Sequence, residues 1–263
     1  MSIPLQRSVV YGPIFSRRLG VSLGINLFPG NKFCLSNCIY CQYGWTDLQA
    51  MRRVRLRPAG ELVEEMERDF LRYARQGFAP DVITFSGNGE PTLHPDFQVM
   101  VRETKRLRDR FFPKVPVTVL SDSSRVHRAE VCEALAELDE CFMKLDAGDS
   151  ETYCKINNPL VARDWNQIIR GLRRLPSVTI QSLFISAPVD NSQGPAFQAW
   201  LELVSSIYPK GVHVYTVARR PADPRVVAVS PERLSQIANL VRKSASNNVR
   251  YLTEGVSRAY GRI

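Results

Sequence analysis

The feature of this sequence that most constrains its fold is the alternation of short apolar runs with longer segments that have a helical repeat. Six runs of strand length are rich in β-branched or aromatic residues, at 21–27, 81–87, 115–121, 140–147, 178–186 and 211–218. Three intervening segments repeat apolar residues at helical spacing, at 61–77, 128–138 and 165–175. This alternation predicts an α/β fold of strand-helix units around a mostly parallel sheet, which forms either a barrel, partly open or closed, or a doubly wound layer.

The end of the chain carries signals for one more unit. Ser230 is placed to cap a helix, Pro231 suits its first turn, and an apolar stripe continues to residue 243. Residues 248–253 are predicted to form a final strand. Both candidate architectures place chemistry at the carboxyl ends of the strands, so functional residues are expected in the loops that follow them.

Length and composition predict one domain over residues 1–263, because 44% apolar residues supply one sizeable core and no Gly-, Ser- or Pro-rich linker divides the chain. No apolar run approaches membrane-spanning length, and the first residues lack the apolar region of a signal peptide. We therefore expect a cytoplasmic protein with no membrane partner. Six cysteines in such a chain are more typical of metal binding than of disulfides.

Three of these cysteines lie within KFCLSNCIYCQYG (32–44), after the first predicted strand. Cys34, Cys38 and Cys41 form a C-x3-C-x2-C pattern with Tyr40 before the third thiol. A [4Fe-4S] cluster held by three thiolates keeps one iron open to another ligand, which suits chemistry more than electron storage. The alternative is a zinc ion completed by a distant side chain, for which His94 is the first candidate.

The other three cysteines do not form a second metal motif. They supply no matching C-x2-C pair and no known pattern for an additional cluster, and we interpret them as packing or incidental thiols: Cys132, Cys141 and Cys154.

A second motif follows the second predicted strand in FSGNGEPTLHPDF (85–97). It combines two glycines with a carboxylate, in the order Gly87, Asn88, Gly89 and Glu90. Alone, such a turn would be interpreted as an ordinary connection between a strand and a helix.

Together, the two motifs resemble those of the radical S-adenosylmethionine (SAM) superfamily, which has C-x3-C-x2-C after its first strand and Gly-Gly-Glu-Pro after its second. The stretches 11–27, 86–97, 144–149 and 210–216 are further similar to short iron-sulfur oxidoreductases related to the archaeal wyosine-forming tRNA enzymes. The resemblance implies a partial (β/α)6 TIM-like barrel with a cluster loop at 28–44. Cys34, Cys38 and Cys41 would hold the [4Fe-4S] cluster, and SAM would bind its open iron.

The same resemblance assigns further residues to SAM. Glu90 would accept a hydrogen bond from its ammonium group, while Lys144 and Asp146 share a strand face that would point towards it. A structural ion pair between Lys144 and Asp146 is the alternative. The residues assigned to SAM are Tyr40, Gly87, Asn88, Gly89, Glu90, Ser121, Asp122, Lys144, Asp146, Gln181, Ser182 and Val217.

The activity implied by the resemblance is reductive cleavage of SAM to methionine and a 5′-deoxyadenosyl radical, which abstracts hydrogen from a substrate. The electron would come from a donor such as flavodoxin or ferredoxin. The alternatives are transfer of an aminocarboxypropyl group from SAM, and a non-catalytic iron-sulfur or zinc module that binds nucleic acid. The wyosine-forming reaction is disfavoured, since the N-terminal segment has no extra cysteines for a second cluster.

The charge of the chain favours an anionic substrate, with tRNA among the candidates. The net charge is +9, and 28 of the 35 basic residues are arginine, several of them in 51–58. Further arginines flank the first and sixth strands and would line the barrel mouth: Arg17, Arg18, Arg219 and Arg220.

Overall fold

The structure is a computed structural model that describes residues 3–16, 19–245 and 248–252. Arg17 and Arg18, predicted at the barrel mouth, lie outside the described residues. The strands of the described part are β1 (Val10–Ser16), β2 (Gly20–Ile25), β3 (Val82–Phe85), β4 (Val117–Ser121), β5 (Glu140–Lys144), β6 (Val178–Ala187), β7 (Gly211–Thr216), β8 (Val227–Ala228) and β9 (Val249–Leu252).

One sheet contains these strands in the order β1-β2-β3-β4-β5-β6-β7-β9. Strands β2 to β7 and β9 pair in parallel, whereas β1 is antiparallel to β2 and β8 is antiparallel to the end of β6. The sheet curls into a half-barrel, which confirms the predicted partial TIM-like barrel and excludes the doubly wound alternative. All six predicted strands are present in the predicted order, and the final predicted strand is β9.

Helices connect the parallel strands and cover one face of the sheet. They are α1 (Leu48–Arg53), α2 (Ala59–Arg75), α3 (Phe97–Phe111), α4 (Ala129–Ala136), α5 (Ser150–Asn157), α6 (Trp165–Arg174), α7 (Gly194–Ile207) and α8 (Pro231–Ser244), with a short 3-10 helix at Pro91–Leu93. The predicted cap of α8 is confirmed, because the Ser230 hydroxyl accepts a hydrogen bond from the Arg233 amide at 3.2 Å. Strands β1 and β8 and helices α1, α3 and α7 were missed from the sequence, and the helix expected to begin at Cys154 is α5, which begins at Ser150.

The two faces of the sheet differ in polarity because successive strand residues point to opposite sides. The convex face is apolar and packs against the helices through residues such as Ile25, Phe85 and Phe184, which are fully buried. The concave face is more polar: the hydroxyl of Thr84 lies 3.0 Å from that of Ser22 and 3.2 Å from that of Thr118. The core therefore lies under the helices, and the concave face leads to the site.

Within the described residues, no helix is both long enough and apolar enough to cross a membrane. That the whole chain forms one domain stays a prediction.

Candidate active site

Most of the predicted site residues lie at the carboxyl ends of β2 to β5. The cluster loop follows β2, the glycine motif follows β3, Ser121 ends β4 and is followed by Asp122, and Lys144 ends β5. Because these strands pair in parallel, their ends meet at one rim of the half-barrel.

The cluster loop is held by backbone pairing with the segment that follows α5. The Ile39 amide donates to the Ile156 carbonyl at 3.0 Å, and the Asn37 amide donates to the Asn158 carbonyl at 2.9 Å. In the opposite direction, the Leu160 amide donates to the carbonyl of Leu35 at 2.9 Å. Residues 35–39 and 156–160 thus run side by side, which fixes the loop that joins Cys34 to Cys38.

The three cysteines of the loop are partly exposed and carry no disulfide. Burial raises the pKa of the Cys34 thiol well above its ordinary value, and the nearby Asp122 carboxylate raises it further. Burial and Cys41 raise the pKa of Cys38 to about 12. A bound cation reverses such shifts, because metal ligation stabilises the thiolate outright.

Two side chains donate hydrogen bonds to these sulfur atoms. Lys32 Nζ lies 3.5 Å from Cys41 Sγ, and Asn157 Nδ2 lies 3.5 Å from Cys38 Sγ. Hydrogen bonds to thiolates stabilise the negative charge of a reduced iron-sulfur cluster.

The geometry does not support a zinc site completed by His94. Its Nε2 lies 3.1 Å from the Arg57 carbonyl, and its Nδ1 accepts a hydrogen bond from the Asp96 amide at 3.2 Å. Both ring nitrogens are therefore engaged away from the cysteines. Within the described part of the chain, no three His, Cys, Asp or Glu side chains are arranged around one metal ion. Cys34, Cys38 and Cys41 would instead hold a [4Fe-4S] cluster, with one thiolate to each of three irons.

The glycine motif is joined to the cluster loop by its backbone. The Phe33 amide donates to the Asn88 carbonyl at 3.1 Å, and the Glu90 amide donates to the Phe33 carbonyl at 3.0 Å. A Cβ on Gly89 would lie 1.9 Å from that same Phe33 oxygen. Gly87 has φ of +123°, a conformation that side chains disfavour. Gly89 is thus required by the contact between the two motifs, and Gly87 by its own backbone conformation and the nearby Asn26 side chain. Their contacts with SAM stay a prediction.

Asn88 is committed to the protein interior. Its Oδ1 accepts from the Gln6 amide at 2.7 Å, while Nδ2 donates to the carbonyls of Gln6 at 2.7 Å and Phe28 at 2.9 Å. A SAM contact from this residue stays a prediction, and it would have to use the backbone.

Glu90 presents a buried carboxylate at the rim, with 2% of the residue exposed. Its Oε1 accepts hydrogen bonds from the hydroxyls of Thr92 at 2.6 Å and Ser121 at 2.9 Å, and its Oε2 accepts one from the Asp122 amide. Burial, and then the Asp122 carboxylate, raise its pKa to about 8. No Lys or Arg of the described residues forms a salt bridge with it, so a cationic group of a ligand would stabilise its ionised form.

Asp122 and Arg163 fasten the cluster loop to β4. Asp122 Oδ2 accepts from the Ser36 hydroxyl at 3.0 Å and lies 3.7 Å from Arg163 Nη1. The Arg163 side chain, 8% exposed, also donates to the Leu35 carbonyl at 2.8 Å and to the Tyr153 hydroxyl at 2.9 Å. Arg163 was missed from the sequence, since only the folded chain brings it to the loop.

Lys144 and Asp146 form the ion pair that the sequence offered as an alternative. Lys144 Nζ lies 2.7 Å from Asp146 Oδ1 and donates to the Tyr215 hydroxyl at 2.9 Å. It also lies 4.8 Å from the ring centre of Tyr40. Burial lowers the pKa of Lys144, but Asp146 and Tyr215 outweigh it, and the net shift is upward. The lysine is thus a stable cation at the rim.

Asn157 joins this ion pair to the cluster loop and was also missed from the sequence. Besides Cys38, its Nδ2 donates to Asp146 Oδ2 at 2.9 Å and to the Tyr40 hydroxyl at 3.2 Å. The Tyr40 hydroxyl in turn donates to Asp146.

Buried polar side-chain atoms without a hydrogen-bond partner are few in the described residues, and all of them belong to segments at this rim. They are Thr46 Oγ1, Ser124 Oγ, Arg125 Nε and Asn157 Oδ1. Buried polar atoms are normally paired, and Asn157 lines the cavity at this rim, so its Oδ1 is available to a bound group.

The comparison with known protein families agrees with this geometry. The family described as the radical SAM superfamily matches residues 29–189. The chain belongs to the radical SAM superfamily. The match includes the cluster loop, the glycine motif, the ion pair and Asn157.

Similar proteins include two curated sequences. A protein of Brachyspira hyodysenteriae named GTPase Obg is 28% identical over 236 residues, which are 88% of this chain and 33% of that protein. A Helicobacter pylori protein named UPF0026 protein is 32% identical over 176 residues, or 65% of this chain and 52% of that protein. The chain therefore spans about a third to a half of these relatives.

Among solved structures, a radical SAM methyltransferase from Sphaerobacter thermophilus superposes with a TM-score of 0.64 at 18% identity, covering 88% of this chain and 66% of that one. A structure of TYW1 with a lysine-pyruvate adduct bound gives 0.57 at 15% identity, covering 85% and 74%. These likenesses show the radical SAM half-barrel fold.

Of the remaining predicted SAM residues, Gln181 and Ser182 lie on opposite faces of β6. Gln181 pairs with Lys144 in register and shares its face. Ser182 is fully buried on the helix side, where its hydroxyl donates to the Leu145 carbonyl and accepts from Trp200 Nε1 at 3.0 Å. The expectation that Ser182 faces SAM is corrected by this placement, because adjacent strand residues cannot share a face.

The other predicted contacts lie around the cluster loop. Val217 packs, together with Tyr40, against a small apolar group that includes Ile39 and Leu183. A small cavity lies at this rim, and its lining includes Asp122, Lys144, Asp146 and Asn157. One rim of the half-barrel thus carries three thiols, a buried carboxylate without a salt bridge, and buried polar atoms without a hydrogen-bond partner. These residues fit a [4Fe-4S] cluster together with SAM.

Proposed function

We propose that this radical SAM enzyme cleaves SAM reductively and directs the resulting 5′-deoxyadenosyl radical to a hydrogen atom of an anionic substrate, with a tRNA base among the candidates. The observation that carries the proposal is the buried Glu90 carboxylate. It forms no salt bridge within the described residues, although Arg125 is near enough to feel its charge, and it is close enough to Cys34 to raise the pKa of that thiol. When bound, the cluster and SAM supply the electron transfer and the radical.

The protein's own residues hold and enclose these groups. Cys34, Cys38 and Cys41 would ligate three irons, and Glu90 would receive the SAM ammonium. Tyr40 would place its backbone near the adenine. Their positions depend on the backbone pairing of the cluster loop and on Arg163, which are already formed in the protein.

Further residues would contact the ribose and carboxylate of SAM. Lys144 offers a cation beside the cavity, and Val217 offers an apolar surface close to Tyr40. Ser121 would act through Glu90, since its hydroxyl donates to that carboxylate. Asp122 is already bonded to the Ser36 hydroxyl, so a ribose hydroxyl would share its oxygen atoms.

An anionic substrate is supported by the arginines that follow β7. Arg219 Nη1 donates to Gln42 Oε1 of the cluster loop at 2.7 Å, and Arg220 beside it is exposed. Guanidinium groups at a mouth favour carboxylate or phosphate ligands. Reduction would come from a donor such as flavodoxin or ferredoxin.

Anaerobic reconstitution followed by reduction in the presence of SAM tests the proposal. We expect 5′-deoxyadenosine and methionine among the products. 5′-Methylthioadenosine instead would indicate transfer of the aminocarboxypropyl group, and a brown protein that leaves SAM intact would refute both radical SAM activities. Cys38→Ala is expected to lose cluster-dependent cleavage. Cys132→Ala is the matched control, because its thiol donates to the Val126 carbonyl at 2.9 Å, away from the cluster loop.

A further inference from the structure

An exposed basic segment borders the cluster loop on its C-terminal side. Trp45 is 48% exposed, and Arg52, Arg53 and Arg55 are all exposed after it. We call these four residues the Trp45–Arg55 surface. The only acidic residue in 45–55 is Asp47, whose carboxylate is used to cap α1, accepting from the amides of Gln49 at 2.9 Å and Ala50 at 3.0 Å. The three arginines outnumber this one carboxylate, so the segment keeps a net positive charge.

The three arginines of this surface are unpaired, in contrast to many arginines elsewhere. Within the described chain, none of them forms a salt bridge or a side-chain hydrogen bond. Other exposed arginines have carboxylate partners, among them Arg102 with Glu137 and Arg106 with Glu103, both at 2.8 Å. Unpaired guanidinium groups in one short segment are available to a polyanion.

The position of Trp45 is fixed by the residue that follows it. The Thr46 amide donates to Asn37 Oδ1 at 2.6 Å, and Asn37 Nδ2 donates back to the Thr46 carbonyl at 3.4 Å. Asn37 itself lies between Cys34 and Cys38 in the cluster loop. The exposed indole is thus attached to the rim of the site, and little conformational freedom of its backbone remains to be lost when a ligand binds.

We propose that the Trp45–Arg55 surface binds a single-stranded or looped segment of RNA, with Trp45 stacking on an unpaired base and the arginines contacting phosphates. The chemistry fits this partner because unstacked bases bind aromatic faces and phosphates bind arginine. An acidic polypeptide would satisfy the arginines but could stack on the indole only through an occasional aromatic residue, whereas every nucleotide carries a flat base. The inference rests on the proposed function in one respect: RNA held here would present a nucleotide to the adjoining site.

Fluorescence anisotropy with a labelled RNA stem-loop tests the surface, using the reconstituted protein over a range of salt concentrations. We expect the stem-loop to bind more tightly than a perfect duplex of the same strand. The triple variant Arg52→Ala, Arg53→Ala, Arg55→Ala removes three phosphate contacts, and each contributes about 0.7 to the magnitude of the slope of log K against log salt. That magnitude should therefore fall by about 2. Trp45→Ala should lower affinity about tenfold with the slope unchanged.

Matched controls are available on the far side of the molecule. Tyr208 is 86% exposed and precedes the start of β7, at the end of the sheet opposite the site. Arg68 and Arg75 are exposed on α2. Tyr208→Ala and the pair Arg68→Ala, Arg75→Ala should bind the stem-loop as the unaltered protein does. All of these side chains are exposed, and thermal melting checks that every variant is folded.

Three results would overturn the proposal. The first is equal stem-loop binding by the surface variants and the controls. The second is tight binding of the duplex that Trp45→Ala does not weaken. The third is competition by polyglutamate that depends on the same residues, which would assign the surface to an acidic polypeptide. A protein that cleaves SAM but fails this test refutes only the surface, and one that binds RNA but leaves SAM intact refutes only the proposed activity.

Discussion

Replacing Asn157 with leucine is expected to make the midpoint potential of the [4Fe-4S] cluster more negative while the protein still folds. The side chain is 6% exposed and donates towards Cys38 Sγ at 3.5 Å. That contact favours the reduced cluster, whose negative charge is greater, and leucine, which branches at the same carbon as asparagine, removes it.

The change in folding stability follows from the other contacts of Asn157. Leucine removes a hydrogen bond to the Asp146 carboxylate at 2.9 Å and one to the Tyr40 hydroxyl at 3.2 Å, a loss of about 3 kcal/mol. It also removes the buried, unpartnered Oδ1, which relieves about 1–2 kcal/mol of desolvation cost. The free energy of unfolding should therefore fall by about 1–2 kcal/mol.

Redox titration followed by electron paramagnetic resonance measures the potential, and urea denaturation measures the stability. Asn157→Asp retains the volume and the acceptor but adds negative charge beside Asp146, so we expect a larger negative shift. Asn191→Leu is the control, because Asn191 is buried and donates to the Asp146 carbonyl at 2.8 Å but contacts no cysteine. An unchanged potential in Asn157→Leu, with the cluster spectrum intact, would refute the reasoning.

Three further predictions concern the other motifs. Ionised Glu90 binds an ammonium group, so SAM affinity should rise as pH increases through about 8, and Glu90→Gln should remove this dependence in binding titrations. The same raised pKa means that the folded protein binds one more proton than the unfolded chain between about pH 4.5 and pH 8. The free energy of unfolding without SAM should therefore fall as pH rises through that window, and it should fall less in Glu90→Gln. Arg163→Ala should lower the free energy of unfolding by about 3 kcal/mol, because Asp122 loses its buried partner, and Arg163→Lys should restore part of the loss. Equal urea denaturation curves for Arg163→Ala and the unaltered protein would contradict this. Gly89→Ala should prevent cluster assembly, measured as bound iron, because its Cβ would lie 1.9 Å from the Phe33 carbonyl of the cluster loop. Gly60→Ala should assemble the cluster normally, because a Cβ there meets nothing within 4 Å.

The order of the parallel strands was predictable because each strand is locally apolar and bounded by turn residues. Strand β1 was missed because Gly12 and Pro13 interrupt its apolar pattern, and β-bulge geometry accommodates them within the hairpin. Helix α3 had a detectable signal, since Phe97, Met100 and Val101 begin an apolar stripe that is buried in the structure.

The motif residues of the site were predictable, whereas the residues that support them were not. Cys38 and Glu90 belong to local patterns with fixed spacing. Asn157 and Arg163 reach the cluster loop only because the chain after α5 folds back beside it. Ser182 lies on the face opposite to the predicted one. A polar residue in an apolar strand suggests a ligand contact, but the Ser182 hydroxyl instead bonds the Leu145 carbonyl and the Trp200 indole on the helix side of the sheet.

The pairing of residues 35–39 with 156–160 has a consequence for biogenesis. Cys38 and its partner Asn157 are separated by 119 positions, so the ribosome must release β3 to α5 before the loop can take its final shape. If these cysteines take up a cluster, we expect its insertion to be a late event, because a truncated polypeptide that ends before α5 would display all three cysteines without the segment that supports their loop. Completion of the fold up to α5 would then be the condition for cofactor insertion.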